Sequence, residues 1–174
     1  MNETKKKESG QYLTFRLGDE MFSLNIVQVR EILDLSRITK IPGTPDFMIG
    51  VINVRGRVVP VIDLHIQFGM PGTENTPETR IIIMEVLLNG ETTVLGALAD
   101  SVHEVTELDS EQIEKPPKIG DRWRTEFVKG LGRQKDQFII ILDIDQVFSE
   151  EELELAESVS CEEIGDKEAR GWRS

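Results

Sequence analysis

The sequence predicts an all-β protein made of two packed lobes, each of about five short strands. Three observations carry this. Val51–Leu64 is two β-branched runs joined at Arg55-Gly56, the signature of a hairpin on a half-buried pleated surface. Asn89-Gly90 is a second hairpin signal between two further runs. The spacing also repeats: Phe47 to Asp63 and Phe127 to Asp143 are both sixteen residues, and Gly50 to Asp63 and Gly130 to Asp143 are both thirteen.

In chain order, residues 1–10 are polar and rich in Lys and Glu, which predicts disorder and no signal peptide. Gln11–Leu17 alternates, with Leu13, Phe15 and Leu17 on one face. Gly18-Asp19-Glu20 turns the chain into a second strand, Met21–Leu24. Asn25 with Gln28 reads as a capping box opening one helical turn, and Val29–Leu33 then runs extended. Thr44-Pro45-Asp46 has the form of an N-cap, a first-turn proline and an acid, predicting a short helical turn before Phe47. The central hairpin follows, with Gly56 supplying positive φ and Pro60, which lacks a donor, marking an edge-like position.

Residues 69–79 carry Gly69, Pro71, Gly72 and Pro77 and read as a linker. Arg80–Leu88 and Glu91–Leu98 form the second hairpin. Val102-His103-Glu104-Val105 echoes Val29-Arg30-Glu31-Ile32. A loop with Pro116-Pro117 leads to Phe127–Leu131, and Gln137–Ile144 is the last strand. The expected lobes are 11–66 and 79–148 within one domain, 11–153. Each is too small to bury a large core alone, so they should pack together and leave a groove. Ser149–Glu152 opens a short C-terminal helix, and 154–174 is an acidic tail expected to be disordered.

The 174 residues carry a net charge of -12, which argues against a nucleic acid or an anionic membrane surface as partner. A single cysteine, Cys161, excludes an internal disulfide, and no apolar run is long enough to span a bilayer. A cytoplasmic location follows as the default. Catalytic chemistry has little to work with. His65 and His103 stand alone, away from metal-ligand spacing, and read as surface or satisfied residues. No phosphate-binding glycine loop and no nucleophile elbow occurs. Asp63, Asp143 and Asp145 at strand ends read as turn-forming carboxylates. The competing reading, an enzyme or small-ligand barrel using Asp63 and Asp143, requires a deep polar pocket.

At these residues the chain resembles the CheW family, the coupling proteins of bacterial chemotaxis. The resemblance runs from Gln11 to about Leu153. Its segments include Tyr12-Leu-Thr-Phe15, Gly18-Asp-Glu20, Val29-Arg-Glu-Ile32 and Pro45-Asp-Phe47. The longest is Phe47-Met-Ile-Gly-Val-Ile-Asn-Val-Arg-Gly-Arg-Val-Val-Pro-Val-Ile-Asp-Leu64. The second half adds Gly96–Val105, Gln112-Ile113 with Pro116-Pro117, and Leu142–Asp145. The resemblance implies two packed five-stranded SH3-like β-barrels with short connecting helical turns. It implies no catalysis, no cofactor and no metal. It implies a scaffold between the cytoplasmic tips of chemoreceptors and the regulatory domain of the histidine kinase CheA, monomeric when free and a ring or array component when bound. The same architecture also suits an adaptor of a chemosensory-like pathway for motility or adhesion other than swimming.

The family's receptor groove maps to Leu13, Leu24, Val27, Arg30, Val102 and His103. Its coupling motifs map to Val29, Glu31 and Ile32 and to Asn53, Arg55 and Gly56. Arg55 is expected to make a polar contact with a partner, and Gly56 to act through backbone shape.

Overall fold

The computed structural model describes residues 9–72, 74–88, 90–115 and 127–147. The strands are β1 (Ser9–Leu17), β2 (Glu20–Asn25), β3 (Val29–Asp34), β4 (Met48–Val54) and β5 (Arg57–Asp63), followed by β6 (Arg80–Leu88), β7 (Glu91–Ala99) and β8 (Ser101–Asp109). Then come β9 (Ile113–Glu114), β10 (Val128–Gln134) and β11 (Gln137–Leu142). Single 3-10 turns occur at Ile26–Gln28, Ser110–Gln112 and Ile144–Gln146, and one short helix, α1, at Leu64–Gln67. β1 thus starts two residues before the strand read from the sequence. The predicted C-terminal helix and the Pro116-Pro117 loop lie outside the described residues.

Two curled sheets result, ordered β8-β1-β2-β11-β10-β9 and β3-β6-β7-β5-β4. The outermost strands of each sheet, β8 and β9 or β3 and β4, are successive strands of the chain. Each sheet therefore rolls towards closure, as the all-β, two-barrel expectation requires, with the two-residue β9 as an added edge.

The lobes do not follow the halves of the sequence. Each half reads hairpin, strand, hairpin, and the first hairpins are exchanged. β1–β2 joins β8, β10 and β11, with β1 antiparallel to β8 and β2 parallel to β11. β6–β7 joins β3, β4 and β5 in the same way. The assignment of 11–66 to one lobe and 79–148 to the other is corrected accordingly. The physical reason is burial. In this arrangement Leu13, Phe15, Leu17, Phe22 and Leu24 enter one apolar cluster with Met48, Ile62, Ile82, Met84, Leu95 and Leu142 from both sheets. Four phenylalanines stack through this region: Phe15–Phe22 at 6.1 Å, Phe22–Phe68 at 5.7 Å and Phe68–Phe127 at 4.5 Å between centroids. Smaller clusters fill the two sheets, Ile52, Val54, Val59, Val61, Ile81 and Ile83 in one, Tyr12, Leu108 and Ile141 in the other. The lobes pack on each other through this cluster, as expected, and a small cleft at their junction is described below.

The repeated spacing holds in detail. The β4–β5 ladder slips between Met48 and Gly50, and the β10–β11 ladder slips between Val128 and Gly130. The Asp63 N–H donates to the Phe47 carbonyl at 2.8 Å and the Asp143 N–H to the Phe127 carbonyl at 2.7 Å. Arg55 at φ 50° and Lys135 at φ 57° occupy matching turn positions. Positive φ at Arg55 followed by Gly56 at φ 85° gives the mirror-image turn that suits a twisted hairpin. Asn53 secures it by accepting the Gly56 N–H at 2.7 Å.

Three local expectations change. Thr44-Pro45-Asp46 forms a hydrogen-bonded turn, with the Met48 N–H donating to the Pro45 carbonyl at 3.0 Å, and not a helical turn. The Thr44 hydroxyl donates back to the Ile41 carbonyl, so it closes a loop instead of capping a helix. Asn25 caps its 3-10 turn by accepting the Val27 N–H, but Gln28 donates outward to the Glu85 carbonyl and Asp145, so the capping box is half formed. β5 is an interior strand. Pro60 is tolerated because the β5–β7 ladder begins only at Val61.

The two matching glycines make a test. A Cβ at Gly50 would sit 2.2 Å from the Thr39 carbonyl oxygen, which is held in a backbone bridge to Val51. At Gly130 the nearest atoms are the Ile113 Cγ2 at 2.7 Å and the Glu114 carbonyl oxygen at 3.1 Å, both on the two-residue edge strand β9, which can shift as a unit. Gly50→Ala should cost about 3 kcal/mol or more and Gly130→Ala about 1 kcal/mol, read by urea denaturation.

Candidate functional site

The coupling-motif residues converge at one end of the lobe built on the β3-β6-β7-β5-β4 sheet. β3 is an edge strand, and its burial alternates, so Arg30 and Ile32 face outward while Val29 and Glu31 are half-buried. The β4–β5 hairpin brings its tip to the same place. There the Arg55 guanidinium meets Glu31 with both nitrogens, Nη1 at 3.1 Å from Oε1 and Nη2 on Oε2. This fork-on-carboxylate geometry is the most directional ion pair available to side chains. The hydrogen bond from Arg55 holds the Glu31 carboxyl below its usual range, and Glu31 in turn raises Arg55. Beside the pair, Arg30 reaches Glu85 at 3.3 Å.

Arg30, Arg55 and Arg57 together line a cleft of about 410 Å³, walled by Val58, Val59 and the Thr92–Val94 stretch of β7. Val58 is 49% exposed and Ile32 40% exposed, so apolar surface accompanies the charges. Two motifs 24 residues apart in the chain thus form one surface. Sequence reading placed Arg55 and Glu31 in separate motifs and missed Arg57 and the threonines. Arg57 follows Gly56 directly, and its place at the tip of the hairpin was the available signal for it.

The groove residues divide. Leu13 is 3% exposed and Leu24 is fully buried, both in the shared core, so as they stand they present no surface to a partner. Their alternating apolar pattern is explained by core packing. Val27 is 80% exposed at the top of its 3-10 turn. With Gln28, Glu85, Leu87, Thr92 and Asp145 it lines a cleft of about 140 Å³ at the junction of the lobes. Val102 is half-buried beside Phe15, and His103 is exposed, its Nε2 3.0 Å from the Ser101 hydroxyl. Neither belongs to the clefts just named.

His65, read from sequence as surface or satisfied, is a buried tie between the lobes. Its Nδ1 lies 2.8 Å from Asp63 and its Nε2 3.0 Å from Asp100. Asp100 also accepts the Gly18 N–H at 2.6 Å, so the β1–β2 turn, the β7–β8 junction and α1 meet at one carboxylate. Burial pushes the imidazole pKa down, but hydrogen bonds and charge from Asp63 and Asp100 outweigh it, and the net shift is upward. Asp63 and Asp143, the pair on which an enzymatic reading would rest, line no common cleft among those described. Among the described residues no group of three or more His, Cys, Asp or Glu is placed to hold a metal ion, and no helix is long and apolar enough to cross a membrane.

The comparisons with known proteins agree with this geometry. The CheW-like domain matches residues 11–152. This chain belongs to the CheW-like family. It is 36% identical to the chemotaxis protein CheW of Klebsiella aerogenes over 150 residues, covering 86% of this chain and 88% of that one. It is 31% identical to the chemotaxis protein CheW of Treponema pallidum, covering 84% and 86%. The crystal structure of the scaffolding protein TtCheW from Thermoanaerobacter tengcongensis superimposes with a TM-score of 0.72 at 38% identity, over 82% of this chain and 94% of that one. The CheW-like match spans nearly all the described residues and both exchanged hairpins.

Two outcomes follow. Arg55→Ala should leave the melting curve unchanged, because an exposed ion pair adds little to stability. His65 has a raised folded-state pKa, so its contribution is complete below about pH 6.5, the unfolded value, and is lost as pH rises through the folded value. The Tm difference between wild type and His65→Gln should therefore be widest in mild acid and narrow towards pH 9, measured by differential scanning fluorimetry across that range.

Proposed function

We propose that this protein is a non-enzymatic chemotaxis scaffold that couples the cytoplasmic tips of chemoreceptors to the histidine kinase CheA. The observation that carries this reading is the Glu31–Arg55 pair. In a chain of the CheW-like family, it joins the two coupling segments on an exposed surface that the core does not require. Arg30, Val58 and Ile32 around it supply the mix of rim charge and apolar anchor that helix- and edge-binding surfaces use. The kinase's regulatory domain is the proposed partner at this end. Val27, with Leu87 beside it, and then Val102 and His103 are the proposed receptor-facing residues, through contacts whose strength comes from multivalency in an array. The protein acts in the cytoplasm at membrane-associated receptor arrays, and no cofactor takes part.

The test is co-sedimentation with CheA and a receptor cytoplasmic fragment displayed on vesicles. Wild type should carry kinase into the pellet and raise its autophosphorylation. Arg55→Ala should lower both by tenfold or more, about 1.4 kcal/mol of binding, with an unchanged melting curve. Kinase activation that is the same with and without this protein would sink the coupling reading.

A further inference from the structure

We propose that the acidic segment following Val147 docks in the arginine cleft at the end of the β3-β6-β7-β5-β4 lobe of the same molecule. The cleft reverses the local charge of a protein whose net charge is -12. Arg30 and Arg55 each face one half-buried acid, Glu85 and Glu31, and a guanidinium with five N–H donors retains donors for a second carboxylate. The Arg57 side chain has no hydrogen bond or ion pair among the described residues and stands exposed at the rim. The hydroxyls of Thr92 and Thr93 add neutral donors.

The occupant follows from where the described chain ends. Asp145, two residues before Val147, is fixed to β6 by accepting the Leu87 N–H at 2.8 Å. It lines the small junction cleft together with Thr92, and Thr92 also lines the arginine cleft. The two acids on this path are already engaged, Glu85 by Arg30 and Asp145 by Leu87 and Gln28. Residues 148–163 contain seven glutamates and no lysine or arginine. From residue 154 onward, ten extended residues alone reach about 33 Å. Beyond the helix expected to open at Ser149, the tail still offers Glu154, Glu157, Glu162 and Glu163 to the arginines, and Leu155 and Val159 to a wall containing Val58 and Val94.

Cys161, the single cysteine, lies within this segment and gives a direct probe. A nitroxide attached there should broaden the amide signals of Arg57, Val58 and Thr92–Val94 in the full chain at low ionic strength. Arg57→Glu should restore those signals. So should 1 M salt, where the screening length falls to about 3 Å. Mixing spin-labelled unenriched chain with unlabelled ¹⁵N chain should produce no broadening if the contact is within one molecule. The proposal is overturned if these amides keep full intensity, if their loss survives both Arg57→Glu and salt, or if it appears in the mixed sample. A docked tail would compete with any partner using Arg55, and that consequence rests on the coupling reading. Replacing Glu150, Glu151, Glu152 and Glu154 with Gln should then increase kinase recruitment. The relaxation measurement contains no partner, so its failure and the failure of the coupling assay are separable.

Discussion

The exchange of hairpins between lobes is the constraint on which the rest of the structure depends. β1–β2 contributes Leu13, Phe15, Leu17, Phe22 and Leu24 to the shared core. Burial of each such side chain contributes about 1.5–3 kcal/mol, so together they rival the ~5–15 kcal/mol net stability of a typical domain. Neither lobe keeps its core if the other unfolds, because the main apolar cluster draws its side chains from both sheets. The lobes are therefore not hinged modules. His65 and Asp100 reinforce this by linking α1, the β7–β8 junction and the β1–β2 turn through buried hydrogen bonds.

The internal repeat is preserved where backbone geometry demands it and lost where side chains make their own polar contacts. Gly50 and Gly130 accept close approach, Asp63 and Asp143 donate to matching phenylalanine carbonyls, and Arg55 and Lys135 hold matching turns. The outward positions differ. Arg55 forks onto Glu31, whereas on the other hairpin Arg133 pairs with Glu114 and covers the exposed ring of Phe138 at 5.7 Å. His65 has Asp145 as its counterpart. One binds two carboxylates and the other accepts from the Leu87 N–H and Gln28. The two hairpins thus offer different chemistry on similar frames, as the proposed bridging role would use.

Much of this was legible in the sequence. β-branched runs and Gly-containing turns located the hairpins, and the equal Phe–Asp spacing located the repeat. Which hairpin pairs with which strand was not legible. Strands of one period and similar composition are interchangeable locally, and pairing is decided by the burial that the whole arrangement achieves. The same gap misplaced Leu13 and Leu24, since an alternating apolar residue reads alike whether it faces a core or a groove. Positive φ at Arg55 was hidden because nothing in an arginine favours it. The turn imposes it, with Asn53 holding the Gly56 N–H. The burial of His65 was hidden because its second partner, Asp100, lies 35 residues away.

A rigid, interlocked body limits how coupling can work. If the lobes cannot part, the partner surfaces must be preformed, and the adjustable element must be cheap to rearrange. The Glu31–Arg55 pair meets that requirement. Arg55 is 73% exposed, so water can replace Glu31 as its partner with little loss. The guanidinium can then turn to an incoming carboxylate or carbonyl while the hairpin beneath it stays fixed by Asn53 and the β4–β5 ladder. A buried pair at the same place would resist that exchange, because separating it would strand a desolvated charge. The low stabilising value of this ion pair therefore fits a contact surface better than a structural strut.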